Sequence, residues 1–213
     1  MIIIELRENT FPRAISEVAR VLRSGGVVIS PTDTVYGILG DAANESAVSK
    51  MFNIKNRSAQ KAFPVFVADI ATARRYAYIS DAKAKFLEQI WPGPVTAIFH
   101  HKERLSKALT GGLDTIGMRM PENPFLAELL KRIDIPIAQT SANISNEPPA
   151  QNIEQIKDYF KKSHLSPDLV IDAGELAGQP STVVDCTGAA PIILRTGMIT
   201  KAELDKLFSG MVG

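Results

Sequence analysis

Apolar positions recur along this chain at two spacings, and the places where one gives way to the other mark out its elements. Ile2–Glu5 is a short apolar run that predicts a strand, after which Ile15, Val18, Ala19 and Leu22 follow at helical spacing until Gly25 and Gly26 stop the pattern. Val27–Ser30 predicts a buried strand, ended by Pro31, which throws the chain into the loop Thr32-Asp33-Thr34. Ala47, Val48, Met51 and Phe52 predict a second helix, leading into a basic loop from Lys55 to Lys61. Strand-like runs follow at Pro64–Ala68, Val95–His100, Thr115–Met120, Pro136–Ala138, Leu169–Asp172, Thr182–Asp185 and Ile192–Leu194. Helical patterns lie between them at about Ala82–Ile90, Pro124–Arg132, Ile153–Phe160 and Lys201–Phe208.

Strands interleaved with helices predict an α/β domain built on a mixed sheet with flanking helices, rather than a bundle or a sandwich. The sequence shows no internal repeat, low-complexity tract or linker, so residues 1–213 read as one domain. The stretch Ser145–Asn152 (SNEPPAQN) reads as a surface loop and a candidate lid.

With 213 residues, 45% of them apolar and 22% charged, the chain can bury one sizeable core. A formal charge of +1 removes the whole-protein basic field expected of a protein that mainly grips phosphate backbones. Any nucleic-acid contact would have to be local. Cys186 is the single cysteine and cannot form an internal disulfide. The apolar stretches fall short of the roughly 20 residues that span a bilayer, so no membrane role is expected. Residues 1–5 lack the basic start and longer apolar run of a secretion signal. A cytoplasmic location is the expectation.

Polar chemistry collects where two apolar strands end. Val27–Ser30 runs into Thr32-Asp33-Thr34, and Pro136–Gln139 runs into Thr140-Ser141-Ala142-Asn143. Ligands in α/β sheets favour such strand-end crevices, and short hydroxyls with exposed N–H groups donate well to phosphate or carboxylate oxygens. The plainer reading is two ordinary turns, with Asn143 or Ser145 capping a helix. Cations come next: Lys55, Arg57 and Lys61 lie close together, Arg119 closes one predicted strand and Arg195 another. An arginine fork grips a carboxylate or phosphate with two parallel bonds, while a lysine acts as a movable point charge. Solvated surface charge is the ordinary alternative for each.

Other chemistries find no support. No Walker-type G-x-x-x-x-G-K-[ST] run and no strand-borne G-x-G-x-x-G is present. No G-x-S-x-G elbow surrounds a serine. His100, His101 and His164 lack partners at metal-ligand spacing, so no protein-held metal is assigned. Cys186, at the end of an apolar strand, reads as a core residue, and Trp91, before Pro92-Gly93-Pro94, as a core wall.

Several segments together carry a resemblance. Pro31–Gly37 (PTDTVYG) resembles the opening signature of the YrdC family, Lys55-Asn56-Arg57 its K-x-R element and Trp91–Thr96 (WPGPVT) its proline-glycine turn. Met118–Pro121 (MRMP), Thr140–Ser145 (TSANIS), Pro180–Asp185 (PSTVVD) and Leu194-Arg195 with Gly197 resemble its later elements, in the family's order. The resemblance implies a YrdC-like fold, a twisted mixed sheet lining a positively charged cleft. It also implies a nucleotidyltransferase that converts ATP, bicarbonate and L-threonine, with Mg2+, into threonylcarbamoyl-AMP and pyrophosphate. A separate transferase complex would then move the threonylcarbamoyl group onto tRNA beside the anticodon. The end of the chain near the edge of the catalytic domain suggests a short form of the family.

Carried onto matching positions, the resemblance implies that Thr34, Arg119 and Ser181 contact threonine. Arg57, Lys61, Thr115, Ser141, Asn143 and Arg195 would contact ATP, with Lys55 and Arg57 the catalytic cations. Four departures stand out: Ser58 where many members have proline, Phe66 where some have histidine, Gln139 where a small residue is common, and Asn146-Glu147 after the S-A-N loop. Two alternatives follow, a double-stranded RNA or tRNA binder and a paralogue of the same fold with another substrate. Near-neutral charge argues against the first as the main role.

Overall fold

Strand β1 (Ile2–Glu5) and helix α1 (Phe11–Arg23) open the chain, in a computed structural model that describes residues 1–56, 62–161 and 165–209. There follow β2 (Val28–Ser30), β3 (Gly37–Asp41), α2 (Glu45–Lys55), β4 (Val65–Phe66), α3 (Ile70–Tyr76), α4 (Asp81–Ile90), β5 (Val95–His100), α5 (Lys107–Thr110) and β6 (Thr115–Arg119). The remainder is α6 (Pro124–Arg132), β7 (Ile137–Ser141), α7 (Ile153–Lys161), β8 (Leu169–Asp172), β9 (Thr182–Asp185), β10 (Ile192–Arg195) and α8 (Lys201–Ser209).

Local chemistry starts these helices. Asn44, Asp69, Ser80, Ser106 and Asn123 each accept a first-turn backbone N–H through a side-chain oxygen at the head of α2, α3, α4, α5 and α6. Helix α1 instead carries Pro12 in its first turn, where its fixed φ fits and its missing N–H would have found no partner.

The strands form one mixed sheet in the order β1-β8-β2-β3-β7-β4-β6-β5-β9-β10. The β1/β8, β2/β8, β4/β6 and β5/β9 ladders are parallel; the β2/β3, β3/β7, β4/β7, β5/β6 and β9/β10 ladders are antiparallel. Strand alternation divides the core in two. Val28, Leu39, Phe66, Ile137, Leu169 and Ile171 point to one face and pack with α1 and α6. Ile29, Ile38, Val65, Ala138 and Val170 point to the other, where α2, α4, α5 and α7 cover the sheet from β8 out to Val95, Ala97, Phe99 and Val184. The first layer stops short: α1 and α6 reach β4 but supply no cover to β6, β5 or β9.

Differences from the sequence reading are local. Strand β3, α3 and α5 lie where the sequence predicts no element. Strand β7 continues to Ser141 instead of ending at Ala138. Trp91 is a core wall as expected, and its Nε1 donates to Val95 O at 2.8 Å. Cys186 is buried too, and burial pushes its thiol up to about 12.

Candidate active site

The uncovered half of the sheet displays the residues that alternation turns away from the helices. On β5, Val95, Ala97 and Phe99 enter the core while Thr96 and Ile98 face outward; on β6, Ile116 and Met118 enter it while Gly117 and Arg119 face outward. Val183 and Arg195 from β9 and β10, and Gln139 and Ser141 from β7, extend this floor. The loops before β3 and β9 add Thr34 and Ser181, enclosing a cleft of about 370 Å³. Gly117 keeps the floor low, because a Cβ there would lie 3.1 Å from Thr96 Cγ2 and 3.3 Å from Pro64 Cβ.

Arg119 sits at the base of the cleft, its side chain 2% exposed and ion-paired with Asp33, whose side chain is 8% exposed. Its Nε donates to Gly93 O at 3.1 Å and its Nη1 to Thr34 Oγ1 at 3.3 Å. The guanidinium carbon stands 5.7 Å from the centre of the Phe66 ring. The proline-glycine turn thus supplies a carbonyl that holds the arginine's inner edge.

The hydroxyl of Thr34 is oriented by its neighbours. Thr32 Oγ1 donates its one proton to Val35 O at 2.7 Å, so in the 2.9 Å contact between the two threonines the donor is Thr34. Thr34 Oγ1 also accepts from Arg119, which leaves one lone pair to receive an N–H from a ligand.

On the opposite wall, Ser181 Oγ lies 3.0 Å from Thr96 Oγ1, and Arg195 Nη2 donates to Ser181 O at 2.8 Å. Arg195 is exposed on its outer side, and burial of its inner side lowers its pKa from the ordinary arginine value.

Lys55 and Asn143 stand apart from the cleft lining. Lys55, the last residue of α2, is buried and its Nζ donates to Asn143 Oδ1 at 2.5 Å, Ser141 O at 2.8 Å and Asn143 O at 3.2 Å. Ser141 Oγ donates to the same Asn143 Oδ1 at 2.7 Å, and Asn143 Nδ2 to Glu147 O at 2.5 Å. Asn143 therefore staples a loop and caps no helix.

The segment read as a candidate lid is fastened along its length. Ser145 N donates to Lys55 O, Ala150 N to Ala142 O, Leu176 N to Gln151 O and Tyr159 Oη to Pro148 O. Asn146 has φ +75°, a left-handed conformation that asparagine tolerates better than most residues.

Of the residues singled out in the sequence, Thr34, Arg119, Ser141, Ser181 and Arg195 meet around one cleft. Thr115 starts β6 opposite His100, beyond the lining. Arg57, Lys61 and the departure at Ser58 lie outside the described residues. Phe66 is buried beneath Arg119, and Gln139 lines the cleft. Asp33, Thr32 and Thr96 were not selected as site residues, although Asp33 lies within a loop that was. A short acidic residue between threonines reads equally well as a turn former. Among the described residues, no group of three or more His, Cys, Asp or Glu could hold a metal ion. None of the described helices is long and apolar enough to cross a membrane.

The chain is similar to threonylcarbamoyl-AMP synthase of Pyrococcus abyssi, 34% identical over 209 residues, which are 97% of this chain and 60% of that protein. The structure of P. abyssi Sua5 complexed with L-threonine superposes with a TM-score of 0.90 at 33% identity, covering 97% of this chain and 61% of that one. Escherichia coli YciO matches with a TM-score of 0.84 at 26% identity, over 97% of this chain and 98% of its own. The chain thus spans about 60% of the length of the P. abyssi relative. The Sua5_yciO_yrdC family model, described as "Telomere recombination", matches residues 20–197, and the chain belongs to this Sua5/YciO/YrdC family.

Proposed function

We propose that the chain is an L-threonylcarbamoyladenylate synthase, joining ATP, bicarbonate and L-threonine. The observation that carries this reading is the cleft itself: a buried arginine fork beside an oriented threonine hydroxyl on one wall, and a second arginine with Ser181 on the other. Such a pair of anion sites suits an amino-acid carboxylate and a triphosphate bound side by side. Family membership and the L-threonine complex of P. abyssi Sua5 support the choice of substrate.

Threonine's free amine would attack CO2 from bicarbonate, lose a proton and become a carbamate. A carbamate oxygen would then attack the α-phosphorus of ATP as the bond to pyrophosphate breaks. No protein nucleophile is needed, so catalysis is positioning and charge neutralisation. Arg119 would take the threonine carboxylate, the free lone pair of Thr34 its amine, and Ser181 its hydroxyl. Ser141 and Arg195 would face the nucleotide, with Arg57, Lys61 and Thr115. Lys55 would act at the α-phosphate through the 141–143 loop it ties, with Asn143. Among the described residues the cleft lining offers hydroxyl and amide oxygens and no carboxylate, and Asp33 behind it is engaged by Arg119. Mg2+ would accordingly be carried on the triphosphate, where it offsets phosphate charge. The product would pass to a tRNA threonylcarbamoyl-transferase complex, in the cytoplasm.

The test is pyrophosphate release from ATP with Mg2+, with and without bicarbonate, comparing L-threonine, L-serine and no amino acid. Release that needs both threonine and bicarbonate is expected. ATP binding without threonine-dependent release would favour a paralogue with a different or lost substrate, the reading motivated by the departures at Ser58 and Phe66. Binding of double-stranded RNA or tRNA in place of ATP would favour the RNA reading.

A further inference from the structure

The geometry points to Asp33 as the positioning residue of the carboxylate site: it fixes the Arg119 fork toward the amino acid and keeps it from the triphosphate. The inference rests on the adenylate-forming reading above.

A guanidinium has five N–H donors. In Arg119 three are engaged, by Gly93 O, Thr34 Oγ1 and Asp33 Oδ1, which leaves one on each terminal nitrogen. One free N–H on each terminal nitrogen is the pattern that the two oxygens of a carboxylate accept together. Asp33 cannot turn away from this arrangement, because its second oxygen accepts the backbone N–H of Glu122 at 3.1 Å. That bond ties the loop after β2 to the turn after β6. Both oxygens being engaged, Asp33 is not placed as a general base. The Phe66 ring near the guanidinium offers no competing acceptor.

Charge makes the same point. With Asp33 ionised, the buried pair is neutral overall, so Arg119 holds a short-range fork for a carboxylate and exerts little pull on a distant polyphosphate. With that carboxylate gone, the guanidinium would be an uncompensated buried cation in a cleft that receives ATP, and it would turn toward the phosphates.

The experiment is threonine-dependent pyrophosphate release by wild type, Asp33→Asn, Asp33→Glu, Arg119→Lys and the double variant Asp33→Asn with Arg119→Lys. Asp33→Asn should raise the threonine KM about tenfold or more. Its kcat at saturating threonine and its ATP KM should stay within about threefold. High ATP should also become a competitor of threonine in Asp33→Asn, a change that general loosening would not produce. The double variant should be no worse for threonine than Arg119→Lys alone, since both act on one guanidinium. Should Asp33→Asn fail to fold, Asp33→Glu is read for the threonine KM alone, because it keeps the charge and misplaces the carboxylate by a methylene. A folded variant with unaltered threonine KM, or additive defects in the double variant, overturns the role of Asp33 while leaving the synthase reading intact. Wild-type protein without threonine-dependent release overturns both.

Discussion

The ammonium of Lys55 lies 2.5 Å from Oδ1 of Asn143, joining a helix end to a loop 88 residues further along the chain. The contact is buried and shared with two backbone oxygens of the same loop. Lys55→Met keeps the apolar stem but removes all three bonds; Asn143 Oδ1 keeps Ser141 Oγ and Ser141 O keeps the N–H of Asn143, while Asn143 O loses the ammonium, at a cost of about 1–3 kcal/mol. For a chain of this size that is roughly 2–4 °C of melting temperature per kcal/mol. Calorimetry should show the drop, and the ATP KM should rise with it; a variant that melts like wild type would remove the tie.

Arg119 serves both the fold and the cleft. Arg119→Ala leaves Asp33 buried and unpaired, and should cost about 3–5 kcal/mol of stability before any kinetic effect is read. Arg119→Lys keeps a charge without the fork, and should raise the threonine KM about tenfold or more with the ATP KM unchanged. Equal losses for both substrates would place the arginine elsewhere in the reaction.

Two glycines of the loop before β9 should respond differently to alanine. A Cβ at Gly178 would fall 1.6 Å from Thr34 O, so the chain passes there in direct backbone contact. Gly178→Ala should cost about 1–3 kcal/mol and displace Thr34, raising the threonine KM. Gly174, at φ +78° with nothing within 4 Å of its Cβ position, pays only for its left-handed backbone. Gly174→Ala should cost about 1–2 kcal/mol and leave the kinetics alone.

Alkaline conditions should weaken the fold in a defined window. Burial raises the Cys186 thiol from 9.0 to about 12 and, as the leading cause, the Tyr36 phenol from 10.0 to about 12. In each case the unfolded chain ionises first, so the stability is complete below the unfolded pKa and is lost as pH rises toward the folded one. Denaturant midpoints should hold up to about pH 9 and fall between there and pH 12. Cys186→Ala should move the onset up toward pH 10, where Tyr36 and, with a smaller burial, Tyr159 begin to contribute. An unmoved onset would mean that another group governs the loss.

Much of the fold could be read from the sequence because its strands carry dense branched apolar runs. Strands β1, β5, β8 and β9 and helix α6 match the expected ranges. Strand β3 escaped because glycines occupy two of its five positions, and α3 because seven residues hold too little periodicity. The alternation of Val95, Ala97 and Phe99 with Thr96 and Ile98 is visible in the letters. Which face lacks a helix is not, since that depends on how far α1 and α6 extend across the sheet. Lys55 shows the same limit: a lysine after a helix reads as solvated, and only the folded loop reveals acceptors waiting for it. Asp33 is harder still, since its partner lies 86 residues away.

The half-covered sheet separates two kinds of hereditary change. A substitution at Ile98 or Val183 alters the lining of the cleft, while one at Val95, Ala97 or Phe99, on alternate positions of the same strands or their neighbours, alters only how firmly the scaffold holds. A lineage can therefore revise its choice of substrate along one side of a strand without renegotiating its stability on the other.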